Sequence, residues 1–336
     1  MKKIYYIIVA ILIGCNPQLK KTEHKNSNYE ITTNPILKDG QDPWITQEGD
    51  TFHYCYSKGN SIYLKSVTKL TDLENTKELK IWTAPKNTSY SKEIWAPELH
   101  KIDRKWYVYF AADDGNNSNH RMHVLSSEND AINSTFKYVG KVSDSSNKWA
   151  IDGTTFSHLG KRYFVWSGWE ENINDKQNLY IAEMASPTKI KSKRTLISTP
   201  EYEWEKRGSG GGLPTINEGP EILKKNNKVF IMYSASGSWS NFYCLGLLEL
   251  VGENLLEKSS WKKDNTPIFQ GTECVISPGH QSFINIKNQD YIVYHTAKSK
   301  GAGWDRHIKV QPFYWEKNKP CLGKPIEDGV LMKIEY

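Results

Sequence analysis

Lys228-Val-Phe-Ile-Met-Tyr-Ser234 is a short run of β-branched and aromatic residues, entered through the polar turn Lys225-Asn-Asn227. Such side chains favour extended backbone because they pack well on a pleated surface, and paired Asn residues suit a tight turn. The segment has four counterparts: Thr51-Phe-His-Tyr-Cys-Tyr-Ser57, Lys105-Trp-Tyr-Val-Tyr-Phe-Ala111, Arg162-Tyr-Phe-Val-Trp-Ser-Gly168 and Asp290-Tyr-Ile-Val-Tyr-His-Thr296. Each follows its own turn, at Glu48-Gly-Asp50, Ile102-Asp-Arg104, Leu159-Gly-Lys161 and Lys287-Asn-Gln289. Copies recur at intervals of roughly 50 to 70 residues, a period that suits a sheet of several short strands repeated around an axis. Little helical periodicity interrupts them. The WD40 and kelch signatures are absent. Residues 30–336 are therefore expected to form one all-β domain, a five-bladed β-propeller.

A distinctive element precedes each hairpin. In order these are Gly40-Gln-Asp-Pro-Trp44, Trp95-Ala-Pro-Glu-Leu-His100, Ala150-Ile-Asp-Gly-Thr-Thr155, Asn217-Glu-Gly-Pro-Glu221 and Ser277-Pro-Gly-His-Gln-Ser-Phe283. The innermost strand of a blade lines the central axis, so equivalent positions in successive blades converge. That places Asp42, Trp95, Asp152, Glu218 and His280 around one funnel despite their separation in sequence. Carboxyl groups crowded into one pocket cannot all ionise at ordinary cost, and their pKa values are pushed apart. Such splitting serves general acid and base work, including glycoside hydrolysis. Calcium ligation is the other use of clustered acids, but Asp113-Asp-Gly-Asn-Asn117 lacks the downstream glutamate of an EF-hand loop.

Bulk properties suit a folded core, and Trp and Tyr that stay exposed can stack on sugar rings or nucleobases, although most fill the core. Among the 336 residues, 38% are apolar and 12% aromatic, with 12 Trp and 19 Tyr. The formal charge of +6 is scattered, with no basic stripe, so nucleic acid is not an expected partner. At the start, Met1-Lys-Lys3 leads into an apolar run, Ile4–Ile13, too short to span a bilayer and read as a signal peptide over 1–14. Its Leu12-Ile-Gly-Cys15 ending resembles a bacterial lipobox, which implies a lipid on Cys15, a polar tether over 15–29, and export with the membrane touched only through that lipid. Cys55 and Cys244 sit in apolar runs as core residues. An oxidising location would allow a Cys274–Cys321 disulfide, which spacing does not decide.

The ordered set Asp-Pro-Trp, Trp-Ala-Pro-Glu, Ile-Asp-Gly-Thr, Glu-Gly-Pro and Pro-Gly-His resembles glycoside hydrolase family 43 over essentially the whole chain after the tether. The resemblance implies an inverting mechanism in which Asp42 is the general base, Asp152 tunes and orients the acid, and Glu218 is the general acid. It further implies sugar contacts from Trp44, Trp95 and Arg306. His280 takes the place of an axial histidine that meets water or a calcium ion. No cofactor is required, and a structural Ca2+ in the central channel is the one metal left open. Glu98 and Glu221 are read as supporting or surface partners. Trp95–His100, His120-Arg-Met-His123 and Tyr233–Trp239 look closest to the α-L-arabinofuranosidase branch, which implies removal of terminal arabinofuranose units from arabinan or arabinoxylan; a monomer acting on an oligo- or polysaccharide is expected. A β-xylosidase, a galactan-active enzyme or a non-catalytic glycan-binding propeller would share the same frame. Segments 170–176 and 201–212 are expected to wall off one end of the pocket and favour exo action.

Overall fold

The computed structural model describes residues 29–336; the expected signal peptide, Cys15 and the tether up to residue 28 lie outside the described residues. The fold is all-β, and its helical elements are single 3-10 turns such as Leu70–Leu73 and Glu203–Glu205. The chain winds through successive antiparallel meanders. The first holds Trp44–Glu48, Thr51–Lys58, Ser61–Val67 and Leu79–Thr83, and the second Lys92–Ile102, Lys105–Asp113, Arg121–Ser127 and Phe136–Val142. The third is built on Ala150–His158, Lys161–Gly168 and Lys176–Ser186, and the fourth on Thr215–Lys225, Lys228–Ala235, Cys244–Leu250 and Trp261–Lys263. The fifth comprises Ile276–Ile286, Gln289–Ala297, Arg306–Glu316 and Lys319–Cys321. Two parallel residue pairs, Lys176 with Thr215 and Gln177 with Ile216, join the third and fourth into one ten-stranded sheet.

The repeated segments of the sequence are the second strands of these meanders. Their turns explain the punctuation: Asp103 and Arg104 (φ 48° and 64°), Asn226 and Asn227 (47° and 66°), and Lys287 and Asn288 (49° and 69°) are paired left-handed residues. Two consecutive positive φ angles give the hairpin turn whose twist matches that of the strands, and Asn and Asp tolerate it best.

These second strands read as almost unbroken apolar runs because both of their faces are covered. Val108 and Phe110 pack towards the first meander with Ile62 and Leu64, whereas Tyr109 and Ala111 pack towards the third with Phe164 and Trp166. The same alternation divides Ile231 and Tyr233, beside Val165 and Ile181, from Phe230 and Met232, beside Ile292 and Tyr294. A further cluster sets Ile45 and Phe52 of the first meander against Val293, Ile308 and Val310 of the fifth. Each fully buried side chain of this kind contributes roughly 1.5–3 kcal/mol. The first strands also abut in order: Trp44–Glu48 against Lys92–Ile102, then Ala150–His158, Thr215–Lys225, Ile276–Ile286, and that strand back against Trp44–Glu48.

Both ends of the described chain meet at the fifth-to-first junction. Tyr29–Thr32 pairs antiparallel with Met332–Glu335. The Asn34 side chain donates to Val310 O and accepts from Val310 N, each at 2.9 Å. Cys55 and Cys244 are core residues, as expected. The disulfide that export would allow is not formed, since Cys274 and Cys321 are both free. Cys274 leads into the innermost strand of the fifth meander and Cys321 ends the outermost. Three strand spacings, about 14 Å, separate those edges, far beyond the reach of a disulfide.

Candidate active site

The first strands become irregular where they approach one another. Asp42, Ala96, Asp152, Gly219 and His280 all have left-handed backbone, with φ of 48°, 40°, 52°, 54° and 47°. In the second to fifth meanders the ladder register shifts across that position, between Trp95 and Glu98, Ile151 and Thr154, Glu218 and Glu221, and Gly279 and Ser282. An extra residue of this kind bends the strand and re-aims its side chain, and a non-glycine residue held at positive φ is a strained arrangement that clusters at functional sites. Ala-Pro, Asp-Gly, Gly-Pro and His-Gln are thus four versions of one bulge, and Asp-Pro sets the same left-handed residue just ahead of a regular strand.

That common position carries Asp42, Asp152 and His280, while the position just before it carries Trp95 and Glu218. The sequence reading treated all five as equivalent; the structure offsets Trp95 and Glu218 by one residue. Gly219 occupies the left-handed position of its own bulge because a Cβ there would stand 3.3 Å from the His280 ring. Asp42, Trp95, Asp152, Glu218, His280 and Arg306 line a single cavity of about 690 Å3.

The carboxyl groups of this cavity experience opposite forces. Burial would raise the Asp42 pKa, but His280, His295 and Arg306 together outweigh it and hold the group well below the usual carboxylate range. Asp42 Oδ1 lies 3.2 Å from Nδ1 of His280, 3.4 Å from Nδ1 of His295 and 3.9 Å from the Arg306 guanidinium. The Asp42 backbone N–H donates to His295 Nδ1 at 2.9 Å, which fixes this strained residue from behind. Burial pushes Asp152 up to about 8; His280 opposes the rise, and Glu218 and Asp42 add to it. Its Oδ2 accepts from Gly219 N–H at 3.2 Å. Burial also raises Glu218, although Tyr243 and His280 pull the other way. Tyr243 Oη donates to Glu218 Oε1 at 2.7 Å. Burial would lower the His280 pKa, and Asp42, Asp152 and Glu218 raise it instead. The site therefore sets an ionised Asp42 beside an Asp152 that keeps its proton near neutral pH and a Glu218 whose proton affinity is raised.

Trp44 is the sequence-predicted contact that does not reach the cavity. Its indole N–H donates to Leu99 O at 2.7 Å and Thr46 Oγ1 at 2.8 Å, and its ring lies 4.6 Å from that of His100. It packs between the first and second meanders because it stands two residues past left-handed Asp42, in the regular strand. Trp95 does line the cavity, stacked 3.9 Å from His120, whose Nδ1 lies 3.0 Å from buried Asp113. Arg306 reaches the floor, donating to Ser238 O. Glu98 and Glu221 are buried rather than superficial, and burial together with Glu98 drives Glu221 well above the carboxylate range. His100 Nε2 meets Glu98 Oε2 at 2.9 Å.

Several lining residues escaped the sequence reading. Trp149, stacked on Trp169 at 4.6 Å, and Trp239 and Trp304 add aromatic wall. Trp149 directly precedes the Ala150 motif, and Trp304 sits in Gly303-Trp-Asp-Arg306, so proximity to a motif was the available signal. His295 and Tyr243, which contact Asp42 and Glu218 without lining the cavity, carried none, since each reads as an ordinary aromatic of a β-rich run. Of the two segments expected to wall the pocket, 170–176 supplies Asn174, whereas 201–212 acts indirectly, its Gly208 carbonyl accepting from the Trp239 indole at 2.8 Å.

Calcium has little to hold it here. Among the described residues no group of three or more His, Cys, Asp or Glu side chains is placed to bind a metal, and Nδ1 of His280 already faces Asp42. Ca2+ takes six to eight oxygens, so these side chains alone do not build a site for it.

Comparison with known proteins bears on this geometry. The sequence signature described as "Glycosyl hydrolases family 43" matches residues 32–320. Two proteins named extracellular exo-α-(1→5)-L-arabinofuranosidase are each 34% identical: one from Streptomyces avermitilis, over 89% of this chain and 64% of its own length, and one from Streptomyces chartreusis, over 80% and 83%. The chain thus spans under two thirds of the first. An α-L-arabinofuranosidase structure from Lactobacillus brevis superposes with a TM-score of 0.80 at 31% identity, over 89% of this chain and 98% of that one.

Proposed function

The chain belongs to glycosyl hydrolases family 43, and from that premise we propose that it is an inverting glycosidase that removes terminal α-L-arabinofuranosyl residues from arabinan- or arabinoxylan-type chains. The meanders are then the blades of a five-bladed propeller, a reading supported by the first strands abutting in order and by a hydrophobic cluster between each neighbouring pair. The observation that carries the proposal is the opposed titration of carboxyl groups lining one cavity: Asp42 is held ionised while Glu218 and Asp152 are driven up.

Glu218 donates its proton to the glycosidic oxygen as the bond to the anomeric carbon breaks. Asp42 takes a proton from water as the water oxygen attacks that carbon from the opposite face, so configuration inverts. Burial and Asp42 raise the proton affinity of Glu218, which favours the loaded donor, and Asp152, through the Gly219 N–H that its carboxyl accepts, holds the backbone beside that donor. Arg306 offers a fixed cation to sugar oxygens, and Trp95, braced by His120, offers a flat face. The substrate class rests on the names of the relatives. The charged start, short apolar run and Leu12-Ile-Gly-Cys15 ending support export and lipid attachment at Cys15. The protein is taken to act as a monomer, without cofactor.

Glu218→Gln is expected to abolish release of arabinose from arabino-oligosaccharides while sparing much of the turnover of an aryl arabinofuranoside whose leaving group needs no acid. Asp42→Asn is expected to abolish both. Proton NMR of the first-formed anomer should show inversion. Full activity of either variant, or a retained anomer, refutes the mechanism.

A further inference from the structure

Tyr243 is buried immediately before Cys244–Leu250 and touches both halves of the catalytic apparatus. Its hydroxyl donates to Glu218 Oε1 at 2.7 Å. Its ring stacks on His295, with centroids 5.7 Å apart and planes 18° apart, and His295 is the residue that accepts the Asp42 backbone N–H. The Arg306 guanidinium lies over the same ring at 5.5 Å. Space for that ring is built into another motif: a Cβ on Gly279 would fall 2.1 Å from the Tyr243 ring. The glycine of Pro278-Gly-His280 is therefore required by the Tyr243 ring.

We propose that Tyr243 is a positioning residue that ties the proton donor to the base: its hydroxyl orients the Glu218 carboxyl, and its ring braces His295 and through it Asp42. The inference rests on the roles proposed for Glu218 and Asp42. The two contacts are separable, which makes the idea testable. Tyr243→Phe removes only the hydroxyl. Tyr243→Leu removes the brace as well.

Both variants would be assayed beside Glu218→Gln on an arabino-oligosaccharide and on dinitrophenyl α-L-arabinofuranoside, with thermal melts to establish folding. Tyr243→Phe should lose roughly 10- to 100-fold in kcat on the oligosaccharide, where the leaving oxygen needs the proton, and under about threefold on the dinitrophenyl substrate, with KM unchanged on both. Its basic pH limb should also move upward. Glu218 faces Tyr243, His280, Asp42, Asp152 and Arg306, and the phenol is the neutral donor that favours its ionised form. Tyr243→Leu should lose activity on both substrates, because the base is then loosened. Equal losses on both substrates for Tyr243→Phe, no loss on either, or identical behaviour of Phe and Leu variants would overturn the proposal. If instead Glu218→Gln shows no dependence on leaving group, the assignment of Glu218 as the acid fails, irrespective of Tyr243.

Discussion

Replacing Asp152 by Asn should disable the site and stabilise the fold, and the size of the second effect follows from its burial. In the unfolded chain Asp152 titrates near 3.8, whereas in the folded protein burial holds it at about 8. A carboxyl group with a raised pKa keeps its proton in the native state after the unfolded state has lost it. Stability is therefore undiminished below about pH 4, falls as pH rises through the interval from 3.8 to about 8, and levels off above it. Each pKa unit corresponds to about 1.4 kcal/mol, so the cost at pH 7 is about 4 kcal/mol. Asparagine is neutral throughout that interval, nearly isosteric, and its carbonyl oxygen can accept the Gly219 N–H that Asp152 accepts now. Thermal or urea unfolding of Asp152→Asn and the wild type at unit pH steps from 4 to 8 should show near-equality at pH 4 and an advantage to the variant that grows to a few kcal/mol at pH 7. Activity should fall roughly 100-fold or more in the same variant, because the proposed mechanism uses a carboxyl group beside Glu218 that can exchange its proton, and an amide cannot. A stability difference that stays flat with pH, or a wild type that is the more stable at pH 8, refutes the argument that burial sets this carboxyl's titration.

Other consequences are simpler to read. His120→Ala removes the ring on which Trp95 stacks, and should raise KM several-fold while leaving kcat within about twofold, since the indole then wanders. Gly279→Ala forces a methyl group into the Tyr243 ring, and overpacking should cost about 1–3 kcal/mol, measurable as a lowered Tm together with a fall in kcat. The pH profile of kcat/KM should be bell-shaped, its acid limb set below the usual carboxylate range by Asp42 and its basic limb displaced above that range by Glu218 and Asp152. Asp42→Asn should erase the acid limb along with most of the rate.

Local chemistry was sufficient to read the strands and their order. Lys228–Ser234 and its counterparts declare themselves through β-branched and aromatic runs behind Asn, Asp and Gly turns, because both faces of those strands are buried and the turns need left-handed residues. The repetition of the run exposed the repeated unit, and the motif before each copy exposed Asp42, Asp152 and Glu218. What one chain of letters could not show is direction. Trp44 and Trp95 look alike in their motifs, yet one packs against His100 and the other lines the cavity, since Trp44 follows its left-handed residue by two positions and Trp95 precedes its own by one. Nor could sequence show that His295 and Tyr243 stand behind Asp42 and Glu218, because they come from strands distant in the chain that only packing brings together. The opposed titration of the acids belongs to the tertiary structure entirely: it arises from burial and from neighbours contributed by different meanders, and no residue type carries it alone.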